Sequence, residues 1–141
     1  MKKSMLVAGL FQIVVALVLG APAVAQSQYT IQVPFSFNVN GNVLPAGAYR
    51  VVATAPAFVQ IHGVDQNTLN ASAGFTTFRE YRPTGEPMPG QLVFHRYGRQ
   101  YFLAEAWFGG SPSGYMLPRS HAEHEYARQA PQTSTVLFAA K

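Results

Sequence analysis

Hydrophobic and polar residues alternate in the segment that follows the apolar N-terminal run of this chain. Over residues 29–33 the hydrophobic positions are separated by Thr30 and Gln32, and the same period continues beyond Pro34 over residues 35–39. A period of two is typical of a strand with one face buried and the other in water. Because proline has no amide hydrogen to donate, Pro34 predicts a sheet edge or a bulge at this point.

Segments of the same kind recur along the chain and are separated by turn residues. Asn40-Gly41 supplies the positive φ angles of a tight hairpin turn. Residues 82–91 hold three prolines and two glycines, which predicts a loop, and the glycine-rich run 109–114 predicts a flexible connector. The further predicted strands are 48–53, 57–62, 69–78, the two arms of 92–107, and 133–139.

The segment 92–107, LVFHRYGRQYFLAEAW, predicts a strand, a two-residue turn and a second strand. Gly98 is the first residue of this turn, as in a type II′ turn, and the resulting register places Arg96 opposite Tyr101. These two side chains can then stack across the strands. Both faces of the hairpin are largely apolar, so we expect it to lie centrally and to be covered on both sides.

The predicted register also assigns the ionisable side chains of the hairpin to faces. Glu105 falls on the face of Phe94 and Trp107, and His95 falls on the other face, opposite Phe102. Among the six acidic residues of the chain, Glu105 is the carboxylate expected to be buried, with an arginine across the sheet as its expected partner. His95 is interpreted as a structural histidine and not as a catalytic base.

One helix is predicted near the C-terminus, over residues 121–128. Ser120 precedes it as the N-cap, and Glu123 three residues later completes a capping box. Arg128 lies at the C-terminal end, where a positive charge complements the helix dipole. A helix this short must dock on the sheet to persist.

About six to eight short strands, frequent turn signals and a single late helix together predict an all-β fold. We expect an antiparallel β-sandwich or a small barrel with one short C-terminal helix. A βαβ fold would need several helices, whereas this sequence predicts one.

The first 25 residues have the layout of a secretory signal peptide. Two lysines precede an apolar run over residues 5–19, and residues 23–25 supply the small-x-small pattern that signal peptidase accepts. Cleavage between Ala25 and Gln26 would leave a single β-domain over 26–141. An uncleaved anchor is the alternative, but a spanning helix needs about 20 apolar residues. We therefore expect a secreted or periplasmic protein with no transmembrane segment in the mature chain.

Composition narrows the chemistry that this protein could perform. The chain has no cysteine, which excludes thiol catalysis and Cys–zinc sites and makes the fold depend on its hydrophobic core. The formal net charge is +4, but without the two lysines of the leader the basic residues exceed the six acidic ones by only two. No Lys/Arg cluster indicates a nucleic acid or an anionic membrane as a partner.

The helix carries a candidate metal site. His121, His124 and Glu125 have spacings of three and four residues, and imidazoles on one helical face can bind zinc. The pattern HAEHE is not the H-E-x-x-H motif, and a solvated, charged helix face is the other interpretation. The sequence lacks the G-x-S-x-G and phosphate-loop motifs. No catalytic or cofactor-binding residue is assigned, and no cofactor is expected.

Four short motifs give the chain a resemblance to a known family. They are F-x-F at 35–37, LPAG-x-Y at 44–49, HRYG at 95–98 and LPRS at 117–120. The chain resembles a family of small exported bacterial proteins with an F-x-F…LPAG-x-Y strand pair, an HRYG hairpin and an LP-[KR]-S helix. The resemblance implies secretion and an all-β domain, and it brings no activity, ligand or catalytic residue. Family members usually carry arginine where His121 and His124 stand, which weakens the zinc hypothesis.

Two functional hypotheses follow from the sequence. The preferred one is a non-enzymatic binding or envelope-associated interaction module, whose partner docks on an aromatic-rich edge or on the loop 82–91. The alternative is a small periplasmic metal-dependent hydrolase that uses His121, His124 and Glu125. The sequence leaves the partner and the oligomeric state open.

Overall fold

The computed structural model describes residues 27–55, 58–65, 71–74, 77–80, 89–111 and 113–140, and most of them lie in strands. The predicted signal peptide and residues 81–88 of the predicted loop lie outside the described residues. The described strands are β1 (Gln28–Val33), β2 (Phe37–Val39), β3 (Asn42–Leu44), β4 (Gly47–Ala55), β5 (Phe58–Gly63), β6 (Ala71–Gly74), β7 (Thr77–Glu80), β8 (Gln91–Tyr97), β9 (Gln100–Trp107), β10 (Ser113–Met116) and β11 (Gln132–Phe138). The described helix is α1 (His121–Gln129).

The strands form two sheets that enclose the core. The first has the order β1-β4-β5-β6, and the second has the order β11-β8-β9-β10-β7, with β2 beside β9 and β3 beside β2. The pairings are antiparallel except that of β2 with β9, which is parallel at Asn38 and Phe102. Buried residues from both sheets form one cluster: Ile31, Val33, Phe37, Val39, Leu44, Tyr49, Val51, Val59, Ile61, Leu92, Phe94, Leu103, Ala106, Phe108 and Leu117. The prediction of an all-β sandwich with one short helix is confirmed.

Pro34 marks the point at which the chain leaves the first sheet. Ile31 and Val33 are buried, as the alternation predicts, and β1 is an edge strand that ends at Val33. Because Pro34 cannot extend the ladder, the chain crosses to the second sheet. There Phe37 packs edge-on against Tyr49 of the first sheet, with ring centroids 5.2 Å apart.

Both predicted two-residue turns are present. Asn40 and Gly41 have φ angles of 48° and 83°, the two positive values that a type I′ turn requires between β2 and β3. Gly98 has a φ of 61° at the first position of the turn between β8 and β9. These turns fix the registers of their hairpins.

The β8–β9 hairpin has the predicted register near its turn and a β-bulge further away. The register agrees with the prediction as far as the pair Phe94–Leu103, and it then shifts so that Val93 pairs with Glu105. Ala104 is the extra residue in β9. Since side chains alternate between faces, one extra residue moves every later side chain of β9 to the opposite face.

The predicted face of Glu105 and Trp107 is therefore wrong. Ala106 and Phe108 belong to the core with Phe94, which leaves Glu105 and Trp107 on the outer face of the sheet. There Nε1 of Trp107 donates a hydrogen bond to Oε2 of Glu105 at 2.8 Å. Glu105 is half-buried, so it is not the buried carboxylate that the sequence predicted.

Two further strand predictions need correction. The single strand predicted over 69–78 is two strands, β6 and β7, which belong to different sheets. The predicted connector 109–114 gives its last residues to β10, in which Gly114 lies opposite Trp107. A Cβ at position 114 would collide with the indole ring, so the absence of a side chain permits this pairing. Strands β4, β5 and β11 lie where the sequence predicts them.

Candidate functional site

Helix α1 docks on the outer face of the β8–β9 hairpin through a buried carboxylate. Glu123 is 3% exposed and is the one buried charged residue in the described part of the chain. Its Oε1 accepts hydrogen bonds from Nδ1 of His95 at 2.7 Å and from the hydroxyl of Tyr97 at 3.1 Å. Nε of Arg119 lies 3.8 Å from the same oxygen. We call Glu123, His95, Tyr97, Arg119 and Gln132 the Glu123 latch.

The start of the helix explains how Glu123 reaches the sheet. Oγ of Ser120 accepts a hydrogen bond from the amide of Glu123 at 3.2 Å, which confirms Ser120 as the N-cap. The glutamate side chain of a full capping box would turn back to the cap residue. Here the Glu123 side chain extends instead to His95 and Tyr97. The amide of Glu123 is thus bound by the cap, while its carboxylate attaches the helix to the hairpin.

The latch also holds the first residue of β11. Gln132 pairs with Tyr97 in the β11–β8 ladder. Its Oε1 lies 3.1 Å from the Tyr97 hydroxyl and accepts a hydrogen bond from Nη2 of Arg119 at 2.5 Å. Burial raises the pKa of the Tyr97 hydroxyl above its usual value of 10.0, and the negative charge of Glu123 and the hydrogen bond to it act in the same direction. Tyr97 is therefore a neutral donor in this network at neutral pH.

A carboxylate that orients an imidazole also occurs in general-base catalysis. Within the described residues, no hydroxyl is hydrogen-bonded to His95. The recess beside Glu123 has a volume of about 20 Å³, which is space for about one water molecule. Glu123, His95 and Tyr97 join the helix to the hairpin, and the structural role of His95 stays a prediction.

The arginine of the hairpin supports its turn. Cζ of Arg96 lies 5.5 Å from the centre of the Tyr101 ring, which confirms the predicted cross-strand contact. Nε of Arg96 donates to the carbonyl oxygen of Gly98 at 2.7 Å, and the Tyr101 ring stacks on Phe35 at 3.8 Å. Arg96 is thus engaged both with the turn and with the ring of Tyr101.

The structure brings the candidate metal ligands of the helix together with no further ligand among the described residues. His121 and His124 are exposed, and Oε1 of Glu125 accepts a hydrogen bond from Nη1 of Arg128 at 3.2 Å. Among the residues that the structure describes, no three His, Asp or Glu side chains form a group that could hold a metal ion. Zinc binding by this helix stays a prediction.

Strand β11 forms an edge of the second sheet and pairs with β8. Its sequence, QTSTVLF, contains neither a charged residue nor a proline. Soluble proteins commonly protect edge strands with charges, prolines or bulges, because an unpaired edge is a template for another strand. Val136 and Phe138 are 43% and 53% exposed on this edge strand.

The ladder determines which backbone groups of β11 bond β8 and which face away from it. The amide of Ala139 donates to the carbonyl of Gly90 at 2.7 Å, which continues the β11–β8 ladder by one pair. In an antiparallel ladder, residues that bond the partner strand alternate with residues that face away from it. The outward-facing backbone groups are therefore those of Gln132, Ser134, Val136 and Phe138.

Both ends of the edge strand are fixed. The Glu123 latch holds Gln132 at one end, and the bond between Ala139 and Gly90 holds the other. Gly90 in turn packs directly under the ring of Tyr29, where an added Cβ would lie 2.6 Å from the nearest ring atom. An open groove of about 560 Å³ separates this end of β11 from β1. The backbone of β11 is thus held at both ends by contacts with neighbouring elements.

Sequence patterns alone did not identify the latch or the edge. Glu123 was visible as part of a capping box, but its partners lie 26 and 28 residues away in the sequence. The sequence also shows that QTSTVLF carries no charge, but it does not show that this strand lies at the edge of a sheet.

No protein-family model, curated protein or solved structure matches this chain. No described helix has the length and apolar character needed to cross a membrane.

Proposed function

We propose that this protein is an exported, non-enzymatic interaction module that binds its partner by adding a β-strand to the free edge of β11. The proposal rests on one observation, the uncharged edge strand of seven residues whose outward-facing backbone groups lie beside the exposed Val136 and Phe138. Export is supported by the signal-like first 25 residues and by the resemblance to a family of exported bacterial proteins.

Strand addition uses two kinds of contact that this edge offers. Backbone hydrogen bonds provide affinity for any extended segment, and the side chains of alternate residues provide selectivity. At β11 the selective contacts come from Val136 and Phe138, which favour an apolar partner residue. The fixed ends of the strand limit the conformational entropy that binding would otherwise cost.

A labelled peptide with the sequence QTSTVLF, flanked by lysines for solubility, is a suitable probe of this edge. We expect saturable binding to the purified exported protein by fluorescence anisotropy. Val136→Pro removes one outward-facing amide and leaves the ladder with β8 intact, so we expect at least a tenfold loss of affinity. Val136→Lys places a charge at the edge and should weaken binding in the same way.

The matched control for Val136→Lys is Val43→Lys. Val43 lies in β3 and is 60% exposed, so the same change is made at a comparable surface position away from β11. We expect Val43→Lys to bind the peptide as the unchanged protein does. The proposed function is contradicted if the peptide does not bind, or if both Val136 variants bind it with unchanged affinity.

A further inference from the structure

We infer that the strand which β11 accepts is β11 of a second copy of this chain, so that the two copies join their seven-stranded sheets edge to edge. This inference rests on the proposed strand-addition function and names the partner. The two strands run antiparallel about a twofold axis at Thr135. In this register, Ser134 lies opposite Val136 of the partner subunit and Gln132 lies opposite Phe138 of the partner subunit.

The pattern of free backbone groups fits this register. The outward-facing residues of β11 occupy alternate positions placed symmetrically about Thr135, so each meets an outward-facing residue of the other copy. The arrangement gives the backbone groups of all four outward-facing residues of each strand a hydrogen-bond partner, which makes about eight hydrogen bonds between the copies. A shift by one residue would place outward-facing groups opposite inward-facing ones.

The side chains also permit this pairing. An edge strand with charged residues would place like charges close together in a symmetric pair, whereas QTSTVLF carries none. In this register the large Phe138 lies beside Gln132 of the partner subunit, and Val136 lies beside the small Ser134 of the partner subunit. Thr135 lies beside its own copy, a cross-strand Thr–Thr pair that is itself favourable.

The edge strand β1 differs from β11 in the side chains that accompany its outward-facing backbone groups. β1 is also an uncharged edge strand. Ser27 accepts a hydrogen bond from Ala53 at 3.0 Å, so the outward-facing residues of β1 are Gln28, Thr30 and Gln32. These exposed side chains are polar, and Pro34 follows the strand. Of these two edges, only β11 combines outward-facing backbone groups with exposed apolar side chains.

The absence of cysteine allows a direct test of the register. In a non-hydrogen-bonded antiparallel pair the Cα atoms are about 4.5 Å apart, within the range that a disulfide bridges. Thr135→Cys should therefore give a disulfide-linked dimer on mild oxidation of the full exported protein. Thr133→Cys is the matched control, because position 133 would lie about 13 Å from its own copy along the strands. We expect Thr133→Cys to stay unlinked.

The unmodified protein should show a concentration-dependent equilibrium between monomer and dimer in analytical ultracentrifugation. One strand pair is a small interface, so we expect dissociation in about the micromolar range. Val136→Pro and Val136→Lys should each shift the dissociation constant at least tenfold, and Val43→Lys should not.

The outcomes separate the inference from the function on which it rests. A protein that is monomeric at all concentrations but binds the QTSTVLF peptide overturns the dimer and leaves strand addition intact. Cross-linking at position 133 in place of position 135 overturns the twofold register and with it the inference. If the unmodified protein forms no dimer and does not bind the QTSTVLF peptide, both proposals are overturned.

Discussion

Glu123 is the residue on which docking of the helix depends most. Glu123→Ala would remove the charged acceptor of His95 and of Tyr97, and a hydrogen bond to a charged group contributes about 1.5–3 kcal/mol. Since His95 is partly exposed and can bind water, and Oε1 of Gln132 stays within reach of the Tyr97 hydroxyl, we expect a loss of about 2–3 kcal/mol in total in the free energy of unfolding, measured by urea denaturation.

Glu125→Ala is the control for that change, because it makes the same substitution on the same helix. The bond of Glu125 with Arg128 joins two largely solvated side chains, so its loss should cost less than about 0.5 kcal/mol. Equal effects of the two substitutions would show that Glu123 contributes no more than an ordinary helix-surface pair.

The raised pKa of Tyr97 makes a pH-dependent contribution to stability. Its folded-state pKa lies above the unfolded value of 10.0, so the contribution is complete below pH 10 and is lost as the pH rises through the folded-state value. Tyr97→Phe removes this ionisation. We expect the unchanged protein to lose more stability between pH 8 and pH 11 than Tyr97→Phe does, as measured by urea midpoints. Parallel losses would contradict the shift.

The sequence predicts the hairpin side of the Glu123 latch better than the helix side. Alternation in the hairpin places His95 and Tyr97 on one face, and this part of the prediction is correct. What covers that face is decided by the path of the chain from β10 through α1. The capping pattern of Ser120 and Glu123 is the same whether the glutamate turns back to the cap or reaches a sheet, so a local pattern cannot distinguish the two.

At the scale of elements, turns are predictable and bulges are not. Gly98 fixes the hairpin register because a two-residue turn permits one pairing. The extra residue Ala104 leaves no such signal, since Ala104 and Ala106 are both small, apolar and buried. The bulge is accompanied by a bond from the amide of Leu117 to the carbonyl of Ala104 at 2.8 Å, a contact between distant segments that periodicity does not encode.

The pairing of β9 with β10 depends on close approach at Gly114. The position does not have a positive φ, so Gly114→Ala would by itself stabilise the protein by about 0.4–1 kcal/mol through the unfolded state. The collision of the new Cβ with the Trp107 ring should reverse the sign and destabilise the protein by about 1–3 kcal/mol in urea denaturation.

A double-mutant cycle tests the stated cause of that destabilisation. In a Trp107→Ala background the ring is absent, so Gly114→Ala should become neutral or stabilising. A destabilisation of the same size in both backgrounds would show that the indole ring is not responsible.

At the scale of the whole molecule, the aromatic residues of the β8–β9 hairpin are buried or half-buried, and none of them lies on the edge proposed for docking. The sequence predicts docking on an aromatic-rich edge or on the loop 82–91, and it predicts a central position for the aromatic hairpin LVFHRYGRQYFLAEAW. In the fold this hairpin is central, with the other sheet on one face and α1 on the other. The edge proposed for docking is the uncharged strand QTSTVLF, on which Val136 and Phe138 are exposed. From composition it is easier to predict which strands are buried than to predict which strands have no neighbour on one side.

Export should remove the first 25 residues and leave every described strand complete. Ser27 already accepts a hydrogen bond from Ala53, so a new N-terminus at Gln26 lies just before the first sheet begins. We expect the intact mass of the exported protein to correspond to residues 26–141. Ala25→Leu places a large side chain next to the cleavage point and should leave the precursor uncut, whereas Ala21→Leu should be processed normally. A mature protein that begins elsewhere would overturn the predicted site.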